Sequence, residues 1–142
     1  MPDLSHLTAI GRRSLSAPAK YLLDQGLLVG SILDYGCGRG GDAKRLKADA
    51  YDPYYFPVEI SRKYDTILST YVLNVILRSS DRDAVIRTIK SLLHPGGNAY
   101  ITVRRDVAGP VVTSKGTTQD RVILKLPSVK CTSSYEIYKL SN

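Results

Sequence analysis

The densest chemistry in the sequence is one run of nine residues, Asp34-Tyr35-Gly36-Cys37-Gly38-Arg39-Gly40-Gly41-Asp42. It follows the short apolar run Ser31-Ile32-Leu33 and precedes Ala43-Lys44-Arg45-Leu46, so a strand runs into a glycine turn and then a helix. Glycine lets a backbone turn tightly and lets a ligand approach where a Cβ would stand in the way. The helix start that follows offers free N–H groups. Together these make a device for holding a nucleotide-like molecule. A bare glycine-rich turn with no ligand is the plainer reading, but four glycines between positions 36 and 41 weaken a strand-to-helix junction unless close approach is needed.

The glycines alone leave two ligand classes open. Gly36, Gly38 and Gly41 satisfy G-x-G-x-x-G, which serves dinucleotides such as NAD. Asp34 tips the choice. A carboxylate at the strand end meets the ammonium of a methionine moiety, whereas a pyrophosphate gains nothing from it. A chain of 142 residues also lacks room for the second half-sheet and substrate domain of a dehydrogenase. S-adenosylmethionine (SAM) is therefore the expected cofactor. Asp52 follows where a second strand ends, placed to accept from ribose hydroxyls; its plainer reading is a turn Asp before Pro53. The expected cofactor set is Asp34, Tyr35, Gly36, Cys37, Gly38, Gly40, Asp42, Asp52, Pro53, Ser69 and Thr70.

A methyl acceptor belongs beyond the strand Tyr64 to Thr70, near Ser69, Thr70, Tyr71 and Asn74. Asn74 is the candidate to hold an acceptor amide or ring nitrogen, or else a cap of the next helix. Tyr71 is the candidate to stack on a base or on bound adenine, or else a packing residue. These two are the catalytic candidates. His94 precedes Pro95 in a turn and reads as structural, and His6 lies in a polar start that could fold over the cofactor. No Ser-His-Asp or Cys-His set is visible. Cys37 and Cys131 have no metal-ligand spacing and read as free thiols, so no metal is expected.

The elements that must position these residues follow from local signals. Ser16-Ala17-Pro18 starts a helix with a serine cap and an early proline, and Gly26 ends it. Strands are expected at Ser31 to Tyr35, Ala50 to Asp52, Tyr64 to Thr70 and Asn98 to Val103. Short helical segments fit Asp42 to Lys47 and Asp81 to Leu93, with His94-Pro95-Gly96-Gly97 as a turn. Tyr54 to Lys63 and Arg105 to Gln119 read as loops, and Val72 to Ile76 as a strand extension or a short helix. Arg121 to Leu126 and Tyr135 to Leu140 read as a closing hairpin. Alternating strands and helices followed by a hairpin define a minimal Rossmann-like α/β sheet, mostly parallel with an antiparallel C-terminal hairpin. All 142 residues form one domain: an N-terminal segment (1–30), a cofactor core (31–104), and a loop with the hairpin (105–142).

The net charge of +7 and ten tyrosines point toward a polyanionic partner, nucleic acid before membrane. Arg12, Arg13, Arg39, Lys44, Arg45, Arg104 and Arg105 are the basic residues around the expected site; the plainer reading is a solvated surface. No apolar run reaches the roughly 18 residues needed to span a membrane. The start lacks a secretory pattern, so a cytoplasmic location is expected. Oligomeric state is left open.

Taken together, these residues resemble the class I SAM-dependent methyltransferases. The glycine loop is similar to that family's first motif, Asp52 to its ribose acid, Tyr64 to Ile76 to its fourth-motif strand, and Leu92 to Gly97 to its L-x-P-G-G turn. Asp52-Pro53-Tyr54-Tyr55 is only superficially like the D-P-P-Y motif of amino-methylating DNA enzymes, because it follows the second strand rather than the fourth. A narrower likeness, carried by Thr8-Ala9-Ile10, Leu15-Ser16, Leu33 to Asp42, Asp52-Pro53-Tyr54 and Val72-Leu73-Asn74-Val75-Ile76, is to methyltransferases associated with DNA phosphorothioation. The departures are a short Gly40-to-Asp52 link, no third strand before Tyr64, and no final helix after Val103. The leading expectation is methyl transfer to RNA or DNA; the alternatives are transfer to a small molecule or protein with Val107 to Gln119 as a lid, and SAM binding without catalysis.

Overall fold

The computed structural model describes residues 14–107, 111–112 and 118–142. Six strands form one sheet: β1 (Ile32–Tyr35), β2 (Asp49–Tyr51), β3 (Tyr64–Thr70), β4 (Leu93–Arg104), β7 (Ser128–Cys131) and β8 (Tyr135–Ser141). Their order is β2-β1-β3-β4-β8-β7. The first four are mutually parallel, and β8 and β7 run antiparallel at one edge. A separate short ladder joins β5 (Val111–Val112) to β6 (Thr118–Gln119). The architecture is the α/β sheet expected, mostly parallel with an antiparallel C-terminal edge.

Each face of the sheet takes alternate residues. On one face Leu68, Tyr100 and Ile137 bury against Ala19 and Leu22 of the helix α1 (Ala17–Asp24). On the other, Leu33, Ile67, Ala99, Ile101 and Val103 pack with Ile89 of the helix α3 (Ser79–Ser91) and with Leu73. The register puts Leu33 beside Ile67 and Ile67 beside Ala99, so one apolar stripe crosses three strands. Burying each Leu, Ile or Val side chain here contributes about 1.5–3 kcal/mol. Both faces are covered, as a parallel sheet requires.

Local chemistry sets the element ends. Ser16 caps α1, its hydroxyl accepting from the Ala19 amide at 3.4 Å. Gly26 closes the helix at φ 69°, with Gly26 N donating to Leu23 O at 3.0 Å and Leu27 N to Leu22 O at 3.1 Å. The helix α2 (Gly41–Leu46) is six residues long and ends at Lys47, which adopts φ 54°. Among the described residues no helix is long and apolar enough to cross a membrane.

Three segments differ from the sequence expectation. The Pro95-Gly96-Gly97 turn does not precede β4 but bulges within it: Tyr64 pairs with Leu93 and Thr66 with Asn98, and Gly96 takes φ 81°. The first strand of the closing hairpin is Ser128–Cys131, not Arg121 to Leu126. Val122 is buried and Leu124 and Leu126 lean on the core, so their alternating pattern reflects burial without ladder pairing. Val111–Val112 and Thr118–Gln119 pair inside the region expected to be loop. For Val72 to Ile76 the short-helix alternative is the one found, as a 3-10 turn over Leu73–Val75.

Candidate active site

The ends of β1, β2 and β3 converge on the glycine loop. Gly36 N and Cys37 N both donate to Tyr51 O, at 2.7 and 2.9 Å, tying the loop to the end of β2. Gly36, Gly38 and Gly40 take φ of 81°, 57° and 82°, a left-handed backbone that favours glycine. A Cβ on Gly36 would stand 2.4 Å from Val72 Cγ2, and one on Gly40 2.9 Å from the Phe56 ring. These two glycines therefore lock the loop against Val72 on one side and Phe56 on the other. The sequence suggested ligand approach at both positions; neighbouring side chains take that space. The partners lie far along the chain, and no local pattern marks them.

Asp34 lies inside β1, between Ala50 and Leu68 in register, and is 4% exposed. Burial, reinforced by the carboxylates of Asp42 and Asp52, pushes its carboxyl up to about 7. A cation placed there would relieve that cost. Cys37 is half-buried; burial first, then Asp34 and Asp52, pushes its thiol up to about 12, so it is inert. Asp52 is buried just beyond β2, and a bridge to Phe56 (Asp52 N to Phe56 O 3.1 Å, Phe56 N to Asp52 O 3.0 Å) turns the chain back over Gly40. Pro53 is exposed on that turn, and Tyr35 stacks on Tyr51 with ring centroids 4.8 Å apart.

Asp42 has a different occupation from the one expected. Its carboxylate accepts from Ser16 N at 2.8 Å and Ser16 Oγ at 2.5 Å, anchoring the start of α1 to the loop. Ser16 was legible as a helix cap, but its long-range partner was not.

At the end of β3, Ser69 is buried and Thr70 half-buried. Tyr71 follows with φ 61°, costly for a tyrosine, and is held there by Tyr71 N donating to Thr102 O at 2.9 Å. Asn74 is 1% exposed in the 3-10 turn, and among the described residues its Oδ1 meets no donor. Ser69 Oγ and Thr102 Oγ1 are likewise buried without a hydrogen-bond partner among the described residues. The segment after β4 roofs this end. Asp120 N donates to Asn74 O at 2.7 Å, and Gln119 and Val122 are buried. Sequence reasoning missed Gln119 entirely.

The basic residues do not all face outward. Arg104 binds both Asp106 oxygens at 2.8 Å and Gln119 Oε1 at 2.7 Å, and Arg105 donates to Thr132 O. Arg39 and Lys44 are exposed beside the loop, while Arg12, Arg13 and His6 lie outside the described residues. His94 is exposed on the bulge of β4. No cluster of metal-ligating side chains occurs among the described residues. An open cavity of about 290 Å³ lies between β2 and residues 58–62, at the opposite end of the strands from the loop, and so belongs to a different place.

Residues 8–123 match the family described as methyltransferase domain, and the chain belongs to it. Its fold is shared by solved structures. One is 1,6-didemethyltoxoflavin-N1-methyltransferase from Burkholderia thailandensis with bound 1,6-didemethyltoxoflavin and S-adenosylhomocysteine. The TM-score is 0.66 at 16% identity, covering 88% of this chain and 76% of that one. Another is the N-methyltransferase NodS from Bradyrhizobium japonicum WM9 in complex with S-adenosylhomocysteine, with TM-score 0.58, 14% identity, and 88% and 85% coverage. A third is the DhpI–S-adenosylhomocysteine complex, with TM-score 0.59, 14% identity, and 87% and 82% coverage. No curated protein matches the chain in sequence.

Proposed function

We propose that the chain is a SAM-dependent methyltransferase acting on a small acceptor. The observation that carries the cofactor reading is the buried Asp34 carboxyl in the second half of β1, two residues before a glycine loop tied to the end of β2. A buried carboxyl raised to about 7 fits a cationic ligand, and the ammonium of SAM is such a group. Asp52 would take the ribose, and Tyr35, Gly36, Cys37, Gly38, Pro53, Ser69 and Thr70 would border the cofactor. Gly40 and Asp42 act through Phe56 and Ser16 and shape the loop from behind. Bound there, SAM supplies an activated methyl group for in-line displacement. The protein's part is alignment: Asn74 and Tyr71 hold the acceptor, and the roof from Gln119 to Val122 excludes water.

That roof supports a small acceptor over a polymer, and the three solved relatives above carry S-adenosylhomocysteine, one of them with a small heterocycle. The net charge of +7 favours the second reading, transfer to RNA or DNA. Against it, Arg104 and Arg105 are engaged internally. The most distinctive element of the narrower likeness to phosphorothioation-associated enzymes is Val72 to Ile76, whose Val72 packs on Gly36.

Calorimetry with SAM tests the cofactor reading. Micromolar binding that weakens at least tenfold in Asp34→Ala supports it; no binding by the wild-type chain rejects it. Asn74→Ala that binds SAM but loses transfer marks an enzyme rather than a SAM sensor. Binding of RNA or DNA that collapses between 50 and 200 mM salt, with methyl incorporated into the polymer, would replace the small-acceptor reading.

A further inference from the structure

We infer that Arg104 and Gln119 form a positioning pair that turns the Asn74 amide so that its Oδ1 receives an N–H or O–H of the acceptor, making the acceptor a compound that still carries a polar hydrogen. The inference deepens the small-acceptor reading and rests on it for the word acceptor.

Three polar contacts define the pair. Gln119 Oε1 accepts from Arg104 Nη1 at 2.7 Å and, more weakly, from Asn74 Nδ2 at 3.5 Å. Arg104 is itself fixed by two 2.8 Å bonds to the Asp106 carboxylate, a planar fork that leaves little freedom to the guanidinium. Gln119 thus joins Arg104 to Asn74.

An asparagine amide has a donor end and an acceptor end. Directing Nδ2 toward Gln119 leaves Oδ1 as the end on offer. That oxygen belongs to a residue 1% exposed and meets no donor among the described residues. A buried carbonyl oxygen left without a donor is costly, so it selects a ligand that supplies one. An N–H or O–H group supplies it; a tertiary amine or an ether does not. Asn74 takes no proton in this role, because an amide oxygen is too weak a base. It discriminates and aligns.

The test uses the whole chain, saturated with S-adenosylhomocysteine, and two probes of nearly equal shape. Imidazole carries an N–H, and 1-methylimidazole has lost it. Binding is followed through the Asn74 side-chain amide signals in 1H–15N spectra. Imidazole should bind at least about tenfold more tightly, the value of one buried hydrogen bond. Gln119→Leu should cut that preference below about threefold and move the Asn74 signals. Gln119→Glu keeps an oxygen for both donors and should preserve the preference, which a purely structural role for Gln119 would not require. Should Gln119→Leu lose its backbone amide dispersion, Arg104→Met frees Gln119 and should show the same loss. Equal binding of the two probes by the wild-type chain, or a preference intact in both Gln119→Leu and Arg104→Met, overturns the inference. Titration without S-adenosylhomocysteine separates the two readings: a probe preference there with no cofactor binding would reject the methyltransferase reading and leave the Asn74 assignment standing.

Discussion

Ser16 and Asp42 are joined by two hydrogen bonds across 26 positions of the chain, from Ser16 N at 2.8 Å and from Ser16 Oγ at 2.5 Å. One residue caps α1 and the other opens α2, so the helix on one face of the sheet is moored to the glycine loop. Asp42→Ala should cost about 1–2 kcal/mol, the range for losing a cap and a charge-assisted bond at a half-exposed site. Asp42→Asn keeps an acceptor oxygen and should cost less. Urea unfolding at constant m-value reads both; an unchanged midpoint in Asp42→Ala would show that the contact is idle.

The glycine loop and the segment after β3 are one packing unit. Gly36→Ala meets both a φ of 81° and a Cβ 2.4 Å from Val72 Cγ2. It should lose about 2–4 kcal/mol, from backbone strain and overpacking together. Adding Val72→Ala should recover the steric part but not the backbone part. A double-mutant cycle with no coupling would mean that the two side chains do not share the space.

Asp34 makes stability fall as pH rises. Its carboxyl titrates at about 7 in the folded chain against 3.8 unconstrained, so the native state holds a proton that the unfolded state releases between roughly pH 4 and 7. The native chain loses stability across that window and levels off above it. Asp34→Asn should remove a slope on the order of a few kcal/mol from a pH series of melting curves. On the SAM reading, cofactor affinity should rise over pH 6 to 8 in the wild-type chain, because the ammonium favours the ionised carboxylate. A pH-independent affinity in that range would contradict the pairing.

Tyr71 stands at φ 61°, a conformation that asparagine adopts more readily than tyrosine. Tyr71→Asn should leave stability within about 1 kcal/mol of wild type, since relief of strain offsets lost phenol packing. Methyl transfer should nevertheless fall, about tenfold or more, if the phenol aligns the acceptor. Unchanged transfer would reduce Tyr71 to a backbone corner.

Much of the frame was readable because its signals are local. Ser16, Pro18 and Gly26 announce α1 through capping and backbone preference, and β3 announces itself through a buried run. Asp34 before the turn was readable because its position relative to the glycines is a matter of a few residues. The hairpin was misplaced at Arg121 to Leu126 because alternation reports a buried face and not a hydrogen-bonded partner. The bulge in β4 was hidden because Pro95-Gly96-Gly97 also fits a plain turn.

The sequence by itself determined the alternation of strand and helix, the glycine loop with its acid, and the membership that these imply. Each depends on neighbours within one turn or one strand. The tertiary structure alone decided that Gly36 makes room for Val72, that Gly40 makes room for Phe56, that Asp42 serves Ser16, and that Arg104 reaches Gln119 over Asn74. Those contacts join segments from 15 to 45 positions apart. Only close packing between elements selects such partners, and no periodicity along the chain encodes them.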